Sequence, residues 1–137
     1  MFRVVLDTNI IVSALWSPQG IPAEVLKLVV SGKITTVLSN AVIDEYEDVL
    51  RRKKFEKRFS LADYDVDGIL NIMYRRADYY VLQESTTPPF TDETDRKFYD
   101  LAKSANAYLI TGNIKHFPQD NKIITPADFL QYFSKKL

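Results

Sequence analysis

Asp7, Glu45, Asp92 and Asp95 carry the carboxylates from which this chain could build a site for chemistry. Asp7 ends the apolar run Val4-Val5-Leu6 and opens into Thr8-Asn9. Such a run reads as a strand buried on both faces. A carboxylate at its exit lies at the rim of a sheet, where open α/β proteins place their ligands. Thr91-Asp92-Glu93-Thr94-Asp95 opens a helix, and Tyr108-Leu109-Ile110-Thr111 is a second buried strand that ends in Gly112-Asn113. Acids from separate segments brought to one rim imply a divalent-cation site and a hydrolase acting on phosphate esters. Hard cations such as Mg2+ take oxygen ligands and keep several waters, a demand that two or three carboxylates meet. Such an ion lowers the pKa of a water it holds and neutralises phosphate oxygens.

Each of these residues also has an ordinary structural role open to it. Asp7 could cap the helix that follows or make a local turn. Thr8 and Asn9 could cap as well, or orient Asp7 from behind. Asp95 precedes a stripe of Phe98, Ala102 and Ala105, with Leu101 on its flank. Its spacing from Phe98 and Ala102 puts it in line with that buried face, at the first helical turn. A carboxylate there is costly without a partner. The partner is either the free N–H groups of the helix end or a cation, and Asp7 favours the cation. Asp92 reads as an N-cap or as an outer ligand reached through water, and Glu93 as solvated. Glu45 and Glu47 flank a helical face of Val42, Ile43, Tyr46, Val49 and Leu50. Glu45 is nearer the end that faces the rim, although pattern alone favours an ordinary exposed acidic face. Thr111 either orders a water at an ion or merely finishes its strand. Gly112 permits a tight exit, and Asn113 is a poorer Mg2+ ligand than Asp. His116 is the single His. It is a poor basis for zinc and reads as a surface residue, with phosphate binding as the second reading.

Strands and helices alternate along the chain. Strands are expected over Arg3–Asp7, Ile34–Ser39, Tyr79–Leu82, Tyr108–Thr111 and Lys122–Ile124. Helices are expected over Ile10–Trp16, Ile21–Val30 (with Pro22 suited to its first turn), Ala41–Arg52, within Leu61–Arg76, over Asp95–Asn106 and over Pro126–Phe133. Gln83–Thr91, with Pro88-Pro89, reads as a loop. This rhythm predicts a mostly parallel sheet with helices on both faces.

The chain has 137 residues, one domain's worth. At 46% hydrophobic it can bury a core without disulfides. It has no Cys, which excludes disulfides and thiolate metal sites. That absence is compatible with a reducing cytoplasm, the expected location. No signal peptide or membrane span is expected. The formal net charge is zero, so a nucleic-acid ligand would need a local basic patch. The best candidate is Arg51-Arg52-Lys53-Lys54 with Lys57 and Arg58, which also reads as a solvated helix end. Arg75-Arg76 and Lys115 are smaller candidates. Trp16, Tyr79 and Tyr80 could serve an interface, but core packing is the expectation for most of them. Neither a P-loop nor a G-x-S-x-G elbow occurs. A phosphatase using Asp7 as nucleophile usually wants a second Asp where Asn9 stands.

Taken together, Val4–Asn9, Ser39–Tyr46, Asp92–Ala102 and Ala107–Asn113 resemble the PIN domain, in the subgroup of toxin components of toxin–antitoxin systems, similar to VapC-like toxins. The resemblance runs from near Phe2 to the Pro126 helix. It implies one PIN-like domain over 1–137, a three-layer α/β/α sandwich around a five-stranded, mostly parallel sheet. It also implies an endoribonuclease dependent on Mg2+ or Mn2+. On this carry-over Asp7, Glu45 and Asp95 match the family's first three acids and are the catalytic and metal-binding residues. Asp92 matches an additional acid near the third. Thr8, Thr111 and Asn113 tune the site from its edge. Asn113 stands where many members have a fourth acid, which puts a second metal in doubt. The implied partners are an RNA substrate, an antitoxin protein and a second copy in a homodimer. The rivals are a weakly active or inactive module that acts through RNA or protein binding, and a housekeeping RNA-processing nuclease.

Overall fold

The computed structural model describes residues 2–55, 66–82, 90 and 92–136. Strand β1 (Arg3–Leu6) is followed by helices α1 (Thr8–Trp16) and α2 (Ile21–Val30), and β2 (Thr35–Leu38) by α3 (Asn40–Phe55) and α4 (Val66–Arg76). Then come β3 (Asp78–Tyr79), α5 (Arg96–Ala105), β4 (Tyr108–Ile110), β5 (Ile123–Ile124) and α6 (Pro126–Lys135). A 3-10 turn at Glu93–Asp95 leads into α5, and another at Ile114–His116 follows β4.

The sheet order is β3-β2-β1-β4-β5, and every neighbouring pair is parallel. Parallel neighbours need crossovers, and their fixed right hand distributes the helices over both faces. Helix α5 packs on β1, β2 and β4, whereas α1, α3, α4 and α6 are joined through contacts with α2 or with one another. The result is the three-layer α/β/α arrangement. Strand β1 lies between β2 and β4 under both helical layers, which is why Val4, Val5 and Leu6 are all fully buried. Among the described residues no helix is long and apolar enough to cross a membrane.

The helical stripes read from the sequence turn inward for the most part, with Ile43 and Val49 of α3 only half-buried. In α5 Phe98, Leu101, Ala102 and Ala105 are buried, and in α3 Val42, Tyr46 and Leu50 are. Asn106 ends α5 at φ 51°, a left-handed cap that Asn tolerates better than most residues. Thr125 caps α6 by accepting from the Asp128 N–H at 3.2 Å, and Pro126 occupies the first turn.

Tyr46 ties α3 to the sheet. Its ring is fully buried, and its hydroxyl donates to the Leu6 carbonyl at 2.5 Å. Burial holds the phenol far above its usual pKa, so it stays a neutral donor. Tyr46→Phe is expected to cost about 1 kcal/mol of unfolding free energy, the net worth of one such bond. Urea unfolding with an unchanged slope checks this.

Several elements depart from expectation. The third strand is Asp78–Tyr79 rather than Tyr79–Leu82, and it pairs with Val37 and Leu38. Strand β2 ends at Leu38, and beyond β3 the Tyr80 N–H still donates to the Leu38 carbonyl at 2.9 Å. Val81 is 96% exposed. The helix expected from Asp95 begins at Arg96, after the 3-10 turn. Core packing is corrected for Trp16 and Tyr79, which are both more than half exposed. Tyr80 is half-buried under the Arg3 guanidinium, 5.3 Å from the ring centre. Arg51 pairs with Glu47 and Asp67, and Arg52 with Asp48, so these two arginines act as ion-paired helix side chains. Lys57, Arg58 and the 83–89 part of the expected loop lie outside the described residues.

Candidate metal centre

The strand order reverses between β1 and β4, and the crevice beyond their carboxyl ends is where open parallel sheets bind ligands. Leu6 pairs with Ile110, so the next residues, Asp7 and Thr111, emerge side by side at that point. The Thr111 hydroxyl donates to Asp7 Oδ2 at 2.8 Å and accepts from the Asn113 N–H at 3.0 Å. The Asn9 N–H donates to Asp7 Oδ1 at 3.3 Å, so Asp7 also caps α1. Of the two roles posed for Asp7, the cap is the one these contacts show. Only 6% of Asp7 is exposed. Burial raises its pKa above the usual value; Thr111 and Asn9 oppose that rise, and the Glu45 charge adds to it.

Glu45 enters from the first turns of α3. One oxygen accepts from the Thr8 hydroxyl, and Oε1 pairs with Lys97 Nζ at 2.7 Å. Thr8 therefore holds Glu45 rather than Asp7. Asp95 enters from the turn before α5, and its Oδ2 is buried with no hydrogen-bond partner. His116 Nδ1 is 3.6 Å from that oxygen, beyond hydrogen-bond reach. Burial raises the Asp95 pKa, the charges of Asp7, Asp92 and Glu45 raise it further, and His116 opposes the rise. The acids from three separate elements thus act on one another.

Asp92 lies exposed at the edge and accepts from the Thr94 N–H at 2.9 Å and from the Thr94 hydroxyl at 2.7 Å. These bonds hold its pKa below the usual value. Asn113 meets the site through its backbone N–H. Gly112 does not use left-handed backbone, and a Cβ there would meet nothing within 4 Å. Glu93, expected to be solvated, is exposed but pairs with Arg96 and accepts from the Phe90 N–H.

The donor set suits a hard cation. Asp95 Oδ2 is a buried acceptor without a donor, and its charge is raised in energy by acids that a cation would neutralise. Among the described residues no three of His, Asp or Glu are drawn together as a ready-made cage. Glu45 is satisfied by Thr8 and Lys97 instead.

Two residues at the site carry no such weight in the sequence. Lys97 has no spacing signal, because its partner Glu45 is 52 positions away. His116 reads as surface, and it is exposed, yet the second 3-10 turn brings it against Asp95.

Comparisons with known proteins bear on the family and the fold. The family model described as PIN domain matches residues 3–115. An uncharacterized protein of Methanocaldococcus jannaschii, MJ1680, is 29% identical over 147 aligned positions, covering 97% of this chain and 92% of that protein. The crystal structure of VapBC2 from Rickettsia felis, bound to a DNA fragment from their promoter, contains a chain that superposes with a TM-score of 0.57. That match is 20% identical and covers 90% of this chain and 97% of the other, a likeness of fold. A family match spanning β1 to the turn after β4, on a sheet whose reversal point carries Asp7 and Thr111, places the chain in the PIN domain family, whose members are nucleases.

Proposed function

We propose that this chain is a divalent-cation-dependent endoribonuclease, folded as one domain over 1–137 and acting as the toxin of a toxin–antitoxin pair. The observation that carries the reading is the buried Oδ2 of Asp95, without a hydrogen-bond donor among the described residues and in the field of Asp7 and Glu45 at the sheet's reversal point. Asp7 and Asp95 would hold Mg2+ or Mn2+ directly, and Glu45 and Asp92 through water. When bound, the cation supplies charge neutralisation at phosphate and a more acidic water. Thr111 fixes the Asp7 carboxylate through the 2.8 Å bond to Oδ2, leaving the remaining lone pairs for the ion. Thr8 fixes Glu45 in the same way. Asn113 lies at the edge with an amide where a further acid would add charge, which supports one cation rather than two.

An antitoxin partner is supported by the VapBC2 likeness and by the resemblance to VapC-like toxins. A homodimer in the cytoplasm completes the reading. Asn113 is the residue that favours the second reading, a module that binds RNA or protein with little turnover.

Incubation with an end-labelled single-stranded RNA tests the proposal. Cleavage is expected with Mn2+ or Mg2+, to be lost in excess EDTA, and to return when Mn2+ is added beyond the chelator. Cleavage indifferent to EDTA would remove the cation from the mechanism. Cation-dependent cutting of single-stranded DNA with RNA left intact would replace the substrate.

A further inference from the structure

Lys97 is oddly placed for a lysine. It is the second residue of α5, where the helix dipole disfavours a positive charge. Its side chain is 26% exposed, although lysines ordinarily keep the ammonium in water. It reaches from α5 to α3 and pairs at 2.7 Å with Glu45, itself only 18% exposed. Neither helix gains from this internally, and ordering a long side chain costs entropy. What the pair does accomplish is local: Glu45, whose charge disfavours the ionised Asp7 and Asp95, would otherwise stand with an oxygen facing no cation. The same ammonium helps to stabilise the charge of Asp92.

We propose that Lys97 is the internal counter-cation of this site: its ammonium neutralises Glu45 when no divalent ion is held, and it competes with that ion for Glu45. The inference rests on the metal centre proposed above. The Lys97–Glu45 pair sets the cation affinity below what the acids alone would give. A partly buried pair broken on one side leaves a poorly compensated charge, and a divalent ion is the natural replacement.

Mn2+ titration by calorimetry, without RNA, tests this on wild type, Lys97→Met, Lys97→Arg and Asp7→Asn. Lys97→Met is expected to bind Mn2+ roughly tenfold more tightly than wild type, the scale of one nearby unit charge in a wet site. Lys97→Arg keeps the charge and should stay near wild type. Recovery of folded Lys97→Met only in the presence of Mn2+ would be the same result in extreme form. Unchanged or weaker binding by a folded Lys97→Met overturns the proposal. If wild type binds Mn2+ and Asp7→Asn does not, that failure belongs to Lys97 alone. If wild type binds no Mn2+, or Asp7→Asn binds it equally well, the metal centre and the counter-cation fall together.

Discussion

Asp7→Asn is expected to lower Mn2+-stimulated RNA cleavage on the order of a thousandfold, while raising the melting temperature at pH 7. The loss follows from the proposed role of Asp7 at the reversal point, since charge stabilisation by a held cation is worth several kcal/mol of barrier. The gain in stability follows from burial. Desolvation raises the pKa of Asp7 above 3.8, so the folded state takes up a proton more readily than the unfolded chain. The stability tied to this group is fully present below the unfolded value and is lost as pH rises through the higher folded one. At pH 7 the ionised carboxylate therefore opposes folding. Asn removes that charge and keeps an oxygen for the Asn9 N–H, while its amide can donate to the Thr111 hydroxyl. Thermal melts of both proteins without added cation should show the gap at pH 7 and its closure as pH falls toward 3.8. A lower melting temperature at pH 7 would mean that Asp7 serves mainly as the cap of α1.

Local pattern makes much of this molecule legible. The run Val4-Val5-Leu6 announces a central strand because burial on both faces leaves no room for alternation. The α5 stripe is legible because a helix repeats its inward face every three or four residues. Asp95 stands out by the same rule, as a carboxylate aligned with a buried stripe, and its orphaned Oδ2 matches the cost expected there. Pairing between distant segments is not legible. The Thr111–Asp7 bond joins residues 104 positions apart, and register decides it, since one residue of slip would send Thr111 to the other face. Lys97–Glu45 depends likewise on how α5 and α3 meet. The third strand is displaced because Tyr79, Tyr80, Val81 and Leu82 all suit a strand, but a strand extends only as far as its neighbour offers partners. Size alone points Trp16 and Tyr79 inward, and size does not say which face a side chain takes.

Asp95→Asn should separate Asp95 from Asp92 in role. Cleavage is expected to fall on the order of a hundredfold or more, and the rise in melting temperature that Mn2+ gives the wild type should disappear. Without cation the variant should be no less stable than wild type at pH 7. The reasons are that Asp95 Oδ2 has no hydrogen bond to lose among the described residues, and that burial with the charges of Asp7, Asp92 and Glu45 outweighs the favourable His116 nearby. The sign is that of Asp7: a raised folded pKa means stability lost as pH rises through it, and the neutral amide avoids that loss. Asp92→Asn should behave otherwise. Asp92 is exposed, its charge is favoured by Thr94, and its oxygens are engaged in the turn. An outer ligand acting through water gives a loss of about tenfold or less, and here a modest drop in stability, because the folded pKa is lowered. Paired measurements on the two variants therefore assign the direct ligand by opposite signs in stability as well as by different sizes in activity. Should Asp92→Asn abolish the Mn2+ effect while Asp95→Asn retains it, the ion lies over the edge of the turn, and the buried Oδ2 of Asp95 has another purpose.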